Sequence, residues 1–145
     1  MLDTLLGTSA PVRVLHCMLR VVDLERSLAF YCGLLGMRVV RREEYPAGRF
    51  TLAFVGYAEA SEQALIELTY NWDQDGYTQG TAFGHIALAV ADVVASCAAL
   101  AAAGVKVLRA PGPMSVSSPD RDAPECIAFI QDPDGYSIEL IEVRQ

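Results

Sequence analysis

The chain has 145 residues, 52% of them hydrophobic, and a formal net charge of −7. One domain's length with that much apolar material excludes a disordered chain, and the acidic balance without any Lys/Arg run excludes a nucleic-acid surface. No CxxC pair, basic-then-apolar leader or membrane-length apolar run is present, so the expectation is a cytoplasmic protein with reduced thiols and no membrane partner.

In chain order, Val12–Val22 is rich in β-favouring residues and predicts a strand. Asp23 is a natural N-cap for a helix that runs through Tyr31 towards Gly33 or Gly36. Strands are expected over Met37–Glu43, Thr51–Val55 and Ala64–Tyr70, with a turn at Gly56–Gln63. Residues 71–83 then link to a second series. His85–Val90 predicts a strand, Asp92 caps an Ala-rich helix that belongs to the core, and Gly104 ends it. Strands follow over Lys106–Arg109, Cys126–Gln131 and Ser137–Val143. Between them lie an irregular loop, 110–125, with four prolines and the strong turn Asp132-Pro133-Asp134-Gly135. Asp132 and Asp134 are expected to form a turn and take no part in chemistry.

Both series read β-α-β-β-β, and the second copies the first. A shift of 69 residues places His16 on His85, Asp23 on Asp92 and Ser27 on Ser96. These are the only two histidines. Each is followed by a glutamate in an apolar run, Glu67 after 51 residues and Glu139 after 54. Side chains on a strand alternate faces. His16, Met18 and Arg20 therefore share one face, as do Glu67, Thr69 and Asn71, while Ile138 and Leu140 oppose Glu139. His85 shares its face with Ala87 and Ala89, which leave room around it. Cys17 falls opposite His16 and is expected to be a buried thiol, and Met18 to serve packing. Two imidazoles and two carboxylates from a repeated unit suit a divalent metal of intermediate hardness. The unit is a single domain over 1–145 of α+β class, built from two βαβββ repeats at 12–70 and 84–143, whose curled sheets bring His and Glu into one cleft.

The segments LHCMLRVVDLERSLAFYCGLLGMRV, LAFVGY, IELTYNW, GTAFGHIAL and IAFIQDPDGYSIELIE span nearly all of Leu15 to Glu142. On these residues the chain resembles the glyoxalase I, or lactoylglutathione lyase, family of the vicinal-oxygen-chelate superfamily. The resemblance implies paired sheets forming a metal-containing cleft in a homodimer. Each site would take His16 and Glu67 from one chain and His85 and Glu139 from the other. It implies isomerisation of the methylglyoxal–glutathione hemithioacetal to S-lactoylglutathione, with glutathione as co-substrate. Glu139 is implied as main base with Glu67 serving the opposite face, and Arg20 and Asn71 hold the γ-glutamyl end. Thr81 stands where the longer, zinc-preferring members carry an arginine. With the short chain, this points to the bacterial type that takes Ni2+ or Co2+ in preference to Zn2+. The loop GPMSVSSPDRDAPEC lacks the family's lysine, which leaves either Arg121 as its substitute or a thiol other than glutathione. The alternatives are an epimerase or an extradiol-type dioxygenase on the same scaffold, or a drug-sequestering dimer that needs no metal quartet.

Overall fold

The computed structural model describes residues 5–144. Residues 1–4 and 145 of the expected 1–145 unit lie outside the described residues. After a single 3-10 turn at Gly7–Ser9 come β1 (His16–Val21), α1 (Leu24–Leu28), β2 (Arg38–Tyr45), β3 (Phe50–Gly56) and β4 (Leu65–Asn71). The second series is β5 (His85–Val90), α2 (Val93–Ala102), β6 (Val107–Pro113), β7 (Cys126–Gln131) and β8 (Ser137–Glu142). Each series forms a four-stranded sheet, in the orders β1-β4-β3-β2 and β5-β8-β7-β6. The first strand of each sheet pairs parallel with the last, and the other neighbours run antiparallel. A parallel pair needs a long crossover, and in each half the helix begins it.

The caps form as the residue types dictate. The Asp23 carboxylate accepts from the Arg26 amide at 3.1 Å, and Asp92 accepts from the Ala95 amide at 3.0 Å. The first helix differs from expectation: α1 is five residues long and widens into a π-helical turn, Ala29–Leu34. Gly36 then leaves it with φ of 76°, a left-handed conformation that suits glycine. In α2 the residues Val93, Cys97 and Leu100 are buried. They share one helical face, so the Ala-rich helix gives one stripe to the core.

Two strand boundaries correct the sequence expectation. β1 begins at His16, not Val12, because β4, its one neighbour among the described residues, begins at Leu65, the partner of His16. The apolar residues before it have no ladder to join. β6 extends to Pro113, into the stretch expected to be irregular. Pro111 and Pro113 are tolerated because β6 is an edge strand with register slips between Val107 and Arg109 and between Arg109 and Gly112. The Arg109 guanidinium holds the bulge by donating to the carbonyls of Gly112, Ile127 and Pro113 at 2.9, 2.9 and 2.6 Å.

The helix-facing sides of both sheets meet in one apolar cluster, with Leu19, Val21, Ile66 and Leu68 from the first half and Ile138 and Leu140 from the second. Cys97 is buried there, but Cys17 is exposed, against expectation. It sits on the edge strand β1, beside a groove lined by Met37, Leu65 and Leu88. The Asp132–Gly135 turn does more than reverse the chain, because it clasps the first half. Tyr31 donates its hydroxyl to Asp132 at 2.6 Å, the Val22 amide donates to Asp134 at 2.9 Å, and Ser27 bonds Asp134 at 3.2 Å. Asp132 is only 4% exposed. Burial pushes its carboxyl above the ordinary carboxylate range, against the donors from Tyr31, Tyr136 and Asp134. Tyr31 is pushed up in turn, by burial first and then by the charge of Asp132.

Candidate metal centre and substrate face

The helices cover one face of each sheet and leave the other open, and strand parity puts all four candidate ligands on the open faces. In β1 the side chains of Leu19 and Val21 enter the core while His16, Met18 and Arg20 face outward. In β5 Ile86, Leu88 and Val90 pack inward, and His85, Ala87 and Ala89 are exposed. Met18 is 40% exposed on this open face, so the packing role expected for it is not fulfilled among the described residues.

Each sheet brings one histidine to one glutamate. His16 Nε2 lies 3.6 Å from Glu67 Oε2, and His85 Nε2 lies 3.2 Å from Glu139 Oε1. The histidines are a little over one-third exposed and the glutamates about one-seventh. Each pair thus turns an imidazole nitrogen and a carboxylate oxygen towards common, solvent-reachable space. Nitrogen and oxygen donors so arranged fit a divalent ion. Among the described residues, no group of three or more His, Cys, Asp or Glu is close enough to hold a metal. One chain therefore offers two separate bidentate halves.

The halves match beyond the four expected residues. The strand registers align Met18, Glu67, Phe54 and Arg41 across the first sheet, and Ala87, Glu139, Phe129 and Arg109 across the second. Phe54 stands edge-on to His16, with centroids 5.2 Å apart and planes at 74°. Phe129 meets His85 at 5.2 Å and 81°. Each aromatic walls one side of its histidine. Sequence reading missed these four residues. The arginines are 68 residues apart and the phenylalanines 75, against 69 for the histidines, so no single shift aligns them.

Arg20 shares the open face with His16 and pairs in register with Thr69, two positions before Asn71. Its backbone carbonyl accepts from the Tyr136 hydroxyl at 2.8 Å, which ties this strand to the second half. Asn71 Nδ2 donates to the Tyr77 hydroxyl at 2.9 Å. Arg20, Asp75, Tyr77 and Gln79 line a polar cavity of about 310 Å³. Arg20 thereby shares a cavity with the residue that holds Asn71. Arg121 is remote from these contacts in sequence and sits in the exposed loop, paired with Glu125 at 3.2 Å. Thr81 is exposed in the turn before β5.

Residues 13–140 match the profile of the Glyoxalase/Bleomycin resistance protein/Dioxygenase superfamily. A Synechocystis protein named probable lactoylglutathione lyase is 53% identical over 129 residues, 89% of this chain and 94% of that protein. The lactoylglutathione lyase of Haemophilus influenzae is 50% identical over 131 residues, 90% of this chain and 93% of its own length. Among solved structures, glyoxalase I from Zea mays superposes with a TM-score of 0.82 at 38% identity, covering 92% of this chain and 45% of the maize one. The trypanothione-dependent glyoxalase I of Leishmania major superposes with a TM-score of 0.76 at 38% identity, covering 91% of this chain and 87% of the other. The two-sheet architecture and its repeated His–Glu pairs agree with near full-length identity of about half to these relatives, and the chain belongs to the Glyoxalase/Bleomycin resistance protein/Dioxygenase superfamily.

Proposed function

We propose that this chain is a lactoylglutathione lyase that isomerises the hemithioacetal of methylglyoxal and glutathione to S-lactoylglutathione, removing methylglyoxal. Two matched His–Glu pairs on open sheet faces carry the reading, in a chain about half identical to relatives of that name. The family implies a divalent metal and glutathione. A complete ligand set needs both halves, and the two pairs do not converge within one chain. We therefore assign each site to a homodimer, with His16 and Glu67 from one chain and His85 and Glu139 from the other.

When bound, the ion supplies a Lewis acid that lowers the cost of negative charge on adjacent oxygens. The chain's own residues do the rest. Glu139 takes the proton from C1 and returns it at C2 through an ene-diolate, a role supported by the place of its carboxylate on the open face beside His85. Glu67 serves the opposite face. Arg20 and Asn71 hold the γ-glutamyl end, Arg20 through charge-assisted hydrogen bonds. Phe54 and Phe129 keep the two imidazoles in place and dry on one side.

Thr81 supports Ni2+ or Co2+ over Zn2+ as the working ion, which two imidazoles and two carboxylates would hold. The test is an assay with methylglyoxal plus glutathione, following thioester absorbance after chelation and reconstitution. Chelation should abolish activity, and nickel or cobalt should restore it better than zinc. Equal recovery with zinc would overturn the metal preference and leave the reaction standing. Oxygen uptake with a catechol would instead indicate a dioxygenase, and a chain that retains no metal would indicate a binding protein.

A further inference from the structure

The open face of the first sheet carries a cation that the reaction as derived leaves unused. Arg41 lies on β2 in the row of Glu67, separated from it by Phe54. Its guanidinium carbon sits 4.0 Å above the centre of the Phe54 ring. Nε donates to Glu43 Oε1 at 2.8 Å, and the other Glu43 oxygen accepts from the Tyr45 hydroxyl at 3.0 Å. The group thus rests over the ring and is anchored through one nitrogen. Its two terminal nitrogens have no hydrogen-bond partner among the described residues, and the side chain is 53% exposed. The matching Arg109 is different, because its terminal nitrogens are occupied by three backbone carbonyls. Arg121 is engaged by Glu125.

A guanidinium with its outer fork presented and one nitrogen already anchored suits a carboxylate, which it binds through two parallel hydrogen bonds. Strands spaced about 4.8 Å apart put the Cα of Arg41 roughly 10 Å from that of Glu67 and roughly 16 Å from that of Arg20. Three extended residues span about 10 Å, and two arginine side chains cover the remainder. We propose that Arg41 is a binding residue for a substrate carboxylate, at the far side of the open face from Arg20. The proposal rests on the lyase reading for which ligand occupies the face. The carboxylate has two possible sources, the C-terminal carboxylate of the thiol tripeptide or one borne by the 2-oxoaldehyde.

The experiment compares wild type, Arg41→Gln and Arg41→Lys as metal-loaded enzymes. Calorimetry measures binding of S-methylglutathione and of its C-terminal amide. Turnover is measured with methylglyoxal and with a 2-oxoaldehyde ending in a carboxylate. Arg41→Gln should weaken the carboxylate-bearing ligand about tenfold or more, the scale of a lost charge-assisted pair, and leave its neutral counterpart unchanged. Arg41→Lys should fall between, keeping the charge without the fork. A penalty that vanishes on amidation assigns the thiol's carboxylate. One that appears in KM only with the carboxylated aldehyde assigns the aldehyde's. Equal penalties on charged and neutral ligands, or none, would overturn the proposal. Wild-type protein that binds S-methylglutathione in an Arg41-dependent way but does not turn over would overturn the lyase reading and leave this one standing.

Discussion

Glu139 and Arg20 lie on open faces of different sheets, and their side chains are asked to do different things. Glu139 is one-seventh exposed and 3.2 Å from His85. Glu139→Gln keeps the size and an oxygen ligand but removes the basic carboxylate. The expected outcome is a kcat at least about 100-fold lower, with metal content by elemental analysis unchanged. A near-normal rate with metal held would move the base to Glu67. If Arg20 holds the γ-glutamyl end as proposed, Arg20→Ala removes a charge-assisted contact of roughly 1.5–3 kcal/mol. It should act on KM for the glutathione adduct much more than on kcat, which steady-state kinetics separates.

At the scale of elements, the Asp132–Gly135 turn between β7 and β8 holds the β1–α1 junction, α1 and the π-helical turn of the other half. The sequence marked it as a turn and gave no sign of its partners, because Tyr31 and Asp132 lie 101 residues apart. Their bond has a pH signature. The Tyr31 hydroxyl donates to the carboxylate and lowers the Asp132 pKa, though burial outweighs it. An interaction that lowers an acid's pKa favours the ionised form, so its stabilisation is present above the titration range and lost as pH falls through it. Tyr31→Phe should therefore destabilise the fold by about 1–3 kcal/mol near neutrality. The penalty should shrink as pH falls through the titration of Asp132, which begins at higher pH in the variant than in wild type. Denaturant melts of both proteins across that range measure it, and a penalty independent of pH would contradict the assignment.

For the whole molecule, the decisive feature is that two half-sites stay apart within one chain. If they are completed by a second copy, His16→Ala and His85→Ala should each be inactive as homodimers. Mixing the two under subunit exchange should restore one intact site per heterodimer, because both lesions then fall in one site. The recovered activity should approach a quarter of wild type for random exchange, as half the dimers carry one working site of two. No recovery despite exchange, tracked by native mass spectrometry, would put all four ligands in one chain's site. Among the described residues no helix is long and apolar enough to cross a membrane.

Local chemistry determined much of this protein from sequence alone. Asp23 and Asp92 cap helices because a short carboxylate beside free amides does so in any context. The repeat, the strand count and the face of each His and Glu follow from period-two alternation, which needs no knowledge of neighbours. What tertiary structure decided was everything that depends on which strand lies beside which. β1 is shorter than its apolar run because β4 begins late. β6 runs through two prolines because an edge strand needs no donor on its outer side. Cys17 is exposed because it lies on the edge strand β1, beside an open groove. The rows that join Arg41 and Phe54 to Glu67, and Arg109 and Phe129 to Glu139, arise from pairing across three strands. Loops of unequal length shift those residues out of step along the chain, so their equivalence exists in space and not in sequence.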